Sequence, residues 1–92
     1  MKVEELRNEI SKIDFTGVSP DEKLEIISRK AGLDDSGVDR IRSAFNSVRC
    51  GFPAAQDEDV EEAFVRAAVA DIGREQDVMI SALLKPGFIA QR

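Results

Sequence analysis

The sequence predicts an all-α fold: a compact bundle of four to five short helices, with a helix-turn-helix-like corner around residues 20–50. Three observations predict it. Apolar residues recur at every third or fourth position along most of the chain, the spacing that gathers them on one face of a helix. Capping and stop signals at Ser19-Pro20, Gly32 and Pro86-Gly87 punctuate these periodic stretches. No run alternates polar with apolar residues long enough to argue a strand, and there is no internal repeat or low-complexity tract.

The first helix rests on Val3, Leu6, Ile10 and Ile13, with Glu4, Glu5, Arg7, Asn8, Glu9 and Lys12 on the other face. It is expected to stop near Ile13, because Gly17 and then Pro20 follow, and Phe15 should plug the core from the loop. Ser19-Pro20-Asp21-Glu22 is the clearest local signal, with Ser as N-cap, Pro at the first helical position and Glu placed to close a capping box. The second helix carries Leu24, Ile27 and Ala31 as a stripe with Ile26 beside it. It should end at Gly32, where a left-handed residue closes a helix with least strain, and Leu33 folds back onto apolar surface.

Asp34, Asp35 and Ser36 are cap-type residues, and Val38, Ile41, Phe45 and Val48 define a third helix running to about Cys50. Gly51 followed by Phe52 and Pro53 should end it in the manner of Gly32. A fourth helix, over 57–72, opens on acids that suit the positive end of its dipole and turns Val60, Phe64, Ala67, Ala68 and Ile72 inward. Gly73 should break or kink the chain before a fifth helix over 74–85, leaving residues 87–92 as a tail that docks or frays.

Length and composition narrow the function. Ninety-two residues make a single domain, 1–92, since two cores would each be too small to fold without metal or disulfide staples. Ile, Leu, Val and Phe supply 26 of those 92 residues, enough for the chain to fold. Thirteen Lys and Arg against 18 Asp and Glu give a net charge of −5, which repels phosphate backbones and anionic lipid. Histidine is absent, which removes His-based triads and imidazole-dependent metal sites. The single cysteine, Cys50, can form no internal disulfide and favours a reducing compartment. With no signal-peptide pattern and no long apolar run, a soluble, cytoplasmic protein that meets no membrane is expected.

Each motif has a plain structural reading beside its functional one. Residues 27–41 resemble a helix-turn-helix over this stretch alone, with Gly32 in the turn and Val38 and Ile41 three apart, but the would-be recognition helix opens with Asp34, Asp35 and Asp39 where phosphates would lie. Arg40 and Arg42 compensate in part, so DNA binding is the alternative and a helical corner the plain reading. The acids Asp57, Glu58, Asp59, Glu61 and Glu62 fail as an EF-hand, because the sixth and twelfth loop positions fall on Glu62 and Ala68. They are either a solvated helix start or a docking face for a basic partner; residues 57–75 hold seven acids and two bases. Cys50 reads as small core filler, and Lys23 and Lys30 as exposed helix positions rather than catalytic amines.

The apolar run from Val78 to Leu84, followed by Phe88 and Ile89, covers more than one helix face. It is either a central core helix or a partly exposed face for a partner or a second copy. The expectation from sequence is therefore a small acidic protein-binding module, a regulator or inhibitor, that is not an enzyme and uses no cofactor or metal. Its contact residues would be Asp57, Glu58, Asp59, Glu61, Glu62, Leu83, Leu84 and Phe88, its partner an unidentified and basic protein, and a homodimer is compatible. A helix-turn-helix regulator and an accessory subunit of a larger enzyme are the alternatives.

Overall fold

A computed structural model describes residues 1–84, and these form five helices: α1 (Val3–Ser11), α2 (Pro20–Lys30), α3 (Asp35–Gly51), α4 (Asp57–Ala68) and α5 (Glu75–Leu83). There is no strand among the described residues. The all-α bundle read from the periodicity is the observed fold.

Local chemistry sets most of the boundaries. The Ser19 hydroxyl accepts the Glu22 N–H at 3.2 Å and caps α2. At the other end Gly32 takes a φ of 90°, letting the Leu33 N–H return to the Ser28 carbonyl at 3.1 Å and close the helix. The Asp34 carboxylate then accepts the Gly37 N–H at 2.8 Å to start α3. Gly37 is buried against that corner, where an added Cβ would lie 3.1 Å from the Leu33 Cβ. Arg29 pairs with Asp35 across the turn, and the Arg42 guanidinium reaches back to Glu25 and to the Asp21 carbonyl at 3.6 and 3.4 Å.

Three boundary expectations are corrected. The first helix ends at Ser11, two residues before Ile13. Gly51 is the last residue of α3 and has no positive φ; Phe52, at φ −134°, leaves the helix instead, with Pro53 preventing continuation. α4 ends at Ala68, not at residue 72, because a turn closes through the Ala70 N–H to the Ala67 carbonyl and Gly73 adopts φ 91°. The expected break at Gly73 is present, and Ile72 is thereby carried out of the helix to the surface, 78% exposed.

α4 is the hub, packing against α1, α2, α3 and α5, most extensively against α5. α1 and α4 run antiparallel: Arg7 pairs with Glu62, whereas Val3 shares a groove with Arg66, one turn further along α4, and with Ala70 just past its end. α5 also returns antiparallel to α4, since Ser81 and Ala82 near its end line a groove with Asp59 and Glu62 near the start of α4. The core gathers Leu6, Ile27, Ile41, Phe64, Met79 and Leu83, all essentially sequestered from solvent. Phe45 and Phe64 meet edge to face at its centre, with ring centroids 5.2 Å apart. Phe15 does not plug this core; it is half-buried, with the Lys23 ammonium 5.0 Å from its ring centroid.

Candidate functional site

The five acids at the start of α4 divide into two groups. Glu61 and Glu62 lie on the side of α4 that faces α1 and α2, so their charge is spent inside the molecule. Glu61 meets Lys23 at 3.0 Å, and Glu62 accepts from Arg7 and, at 3.1 Å, from Arg66. Asp57 and Glu58, at the first two positions of the helix, stay exposed, and Asp59 is half-buried. The electrostatic feature at this end is thus a short pair of free carboxylates on a helix start, with ion-pair ties beneath it.

The apolar candidates divide as well. Leu83 is 2% exposed and belongs to the core, so it offers no contact surface in this packing; its stripe on α5 is shared with buried Met79, one turn earlier. Leu84 turns outward and is 42% exposed. Phe88 lies outside the described residues. Because α5 is antiparallel to α4, Leu84 sits at the same end of the bundle as Asp57 and Glu58. Most of the apolar surplus in Val78 to Leu84 is absorbed against α4 and α3.

The would-be DNA-reading arginines are both engaged within the chain. Arg40 Nε donates to Glu75 Oε2 at 2.7 Å, linking α3 to α5, and Arg42 is held by Glu25 and the Asp21 carbonyl. Sequence reasoning missed Glu75, one acid among the seven of residues 57–75; its signal was position, two residues past the glycine that breaks the chain. It is 6% exposed, and its Oε1 accepts the Gly73 N–H at 3.0 Å. Burial works to raise its pKa, but the hydrogen bonds from Arg40 and from the backbone N–H groups of Glu75 and Gly73 outweigh it and hold the carboxyl below its ordinary value. At the exposed loop after α1, the Thr16 hydroxyl and N–H lower the Asp14 carboxyl in the same way.

Cys50 is exposed rather than core filler. It lies two residues beyond buried Val48, about 200° further round α3, which places it off the apolar stripe. Lys30 is exposed as expected, and Lys23 is half-buried between Phe15 and Glu61. Among the described residues no group of three His, Cys, Asp or Glu side chains could hold a metal ion, and no helix is long and apolar enough to cross a membrane.

The surface is grooved rather than deeply cleft. One groove, of about 390 Å³ and mixed polarity, runs between the α2–α3 corner and the α4–α5 turn; Leu33, Ile41, Ala67, Ala68 and Ile72 line it together with Asp34, Ser36, Arg40 and Glu75. Compared with protein-family models, with curated proteins and with solved structures, the chain matches none of them.

Proposed function

We propose that this chain is a small acidic protein-binding module, a regulator or inhibitor acting by contact, whose contact end is formed by Asp57, Glu58 and Leu84. The observation that carries this reading is the antiparallel return of α5, which sets an exposed apolar side chain at the same end as two exposed carboxylates. Such a surface suits a basic partner segment that also offers an apolar side chain: the charges steer the encounter and the apolar contact slows dissociation. Glu61, Glu62 and Leu83 contribute indirectly, by holding that end in shape. The internal engagement of Arg40 and Arg42 weighs against the helix-turn-helix alternative.

The test is affinity capture from the native host with three baits: the wild-type chain, an Asp57→Lys/Glu58→Lys variant and Leu84→Asp. A protein recovered by the wild type and lost from both variants supports the contact end; identical recovery by all three removes it. If the captured species is instead nucleic acid, released by salt and lost with Arg42→Ala, the alternative takes its place.

A further inference from the structure

We infer that the chain's own segment 85–92 covers the contact end, with Phe88 seated in the groove between the end of α3 and the start of α4, so that a partner must displace it. The segment, which lies outside the described residues, has the chemistry that such an end takes. Its charged side chains, Lys85 and Arg92, are both basic, and Phe88 and Ile89 are apolar. The acids it would meet, Asp57 and Glu58, are exposed and have no ion-pair partner among the described residues.

The starting point of the segment limits what it can reach. α5 delivers Leu84 to the end at which α4 begins, and four more residues extend at most about 14 Å, which confines Phe88 to that end of the bundle. α4 itself is about 18 Å long, so the grooves at its other end are out of range. Successive helical residues step about 100° around the axis. With Ala82 facing the groove beside Asp59 and Glu62, and Leu83 in the core, Leu84 emerges on the flank of α5 turned away from that groove. Pro86-Gly87 is a turn-forming pair that suits a reversal of the chain across the bundle end.

One groove at this end offers an aromatic seat. It has a volume of about 550 Å³, and Phe52, Pro53, Ala55 and Val60 line it together with Arg49 from α3 and Asp57 from α4. Phe52, Ala55 and Val60 are only half-buried and Pro53 is exposed, so apolar surface remains for Phe88 to cover. Arg49 lies over the Phe45 ring, 6.0 Å from its centroid, and Asp57 with Glu58 is left to attract Lys85. The two other grooves at this end run beside Glu62, whose charge is already met by Arg7 and Arg66. Tethering gives the segment an effective concentration on the order of millimolar, and a partner binds more weakly by the fraction of time the end is closed. That regulatory role rests on the contact-end reading; the docking itself does not.

Cys50 lines the same groove, is exposed, and is the one cysteine of the sequence, so its alkylation by neutral iodoacetamide in the intact chain reports closure. Phe88→Ser/Ile89→Ser should keep the helical circular dichroism spectrum and raise the alkylation rate by roughly fivefold, the factor for an end closed about four-fifths of the time. Lys85→Gln should raise it as well, against the direction in which loss of a nearby cation moves thiol reactivity. The wild-type rate should not change with protein concentration. A rate that neither variant raises overturns the proposal. So does protection that appears only at high protein concentration, which would make a second copy the occupant. The measurement uses no partner, so its failure leaves the contact-end reading standing, and failure of the capture experiment leaves the docking standing.

Discussion

Arg40 and Glu75 are joined at 2.7 Å across the α3–α5 interface, and the carboxylate of that pair also accepts the N–H of Gly73, so one buried acid ties a helix, its neighbour and the turn between α4 and α5. Glu75→Gln should lower stability at neutral pH by about 1–2 kcal/mol, discounted because Arg40 remains partly exposed. The folded-state pKa is depressed, so the charge contributes stability above the ordinary value of 4.5 and loses that contribution as pH falls through the lower folded value. Urea midpoints for wild type and variant should therefore converge below pH 4.5. A gap that stays constant with pH would mean the carboxylate is not held by these donors.

Leu83 and Leu84 are neighbours in sequence with opposite environments. Leu83→Ala should cost about 2–5 kcal/mol through lost burial and the cavity left behind, whereas Leu84→Ala should cost under about 1 kcal/mol. Chemical denaturation of both variants checks this, and equal losses would contradict the register of α5.

Gly73 and Gly51 make a second contrast. Gly73 has φ 91°, so Gly73→Ala forces a left-handed alanine and should destabilise by about 1 kcal/mol or more, although nothing stands near the added methyl. Gly51 is helical and equally open, so Gly51→Ala should stabilise by a few tenths to about 1 kcal/mol. Thermal midpoints moving in the same direction would show that one of the two backbone assignments is wrong.

The cap on α2 gives the most local test. Ser19→Ala removes the acceptor for the Glu22 N–H and should destabilise by about 1 kcal/mol, with Ser19→Asp restoring most of the loss. An unaltered denaturation midpoint for Ser19→Ala would place the start of α2 elsewhere.

The sequence carried the fold because its local signals agree: Ser19, Gly32 and Asp34 each sit where a cap or turn needs them, and Val38, Ile41, Phe45 and Val48 trace the buried face of α3. Where one signal had to stand for another, reading failed. Gly51 followed by an apolar residue mimics Gly32 followed by Leu33, yet only Gly32 is left-handed; Gly51 keeps helical backbone and Phe52 leaves the helix instead. The candidate site was less legible. A carboxylate looks the same in sequence whether it meets solvent, like Asp57, or an arginine from another helix, like Glu62, and that distinction comes only from how α1 lies on α4. Ile72 followed the helical spacing in sequence, but the helix that would have turned it inward ends four residues earlier.

The packing of α4 against all four other helices sets a hierarchy of opening. α1 can swing away while α3, α4 and α5 keep one another, and the start of α2 can fray into its loop, but α4 cannot leave without losing its contacts with all four other helices. Native-state amide exchange should accordingly be slowest along Ala63 to Ala68, at rates set by global unfolding, and faster in α1 through a partial opening. The molecule would then loosen from its N-terminal helix inward, with its most protected backbone in the second half of α4, beyond the turn that carries the solvent-facing acids Asp57 and Glu58.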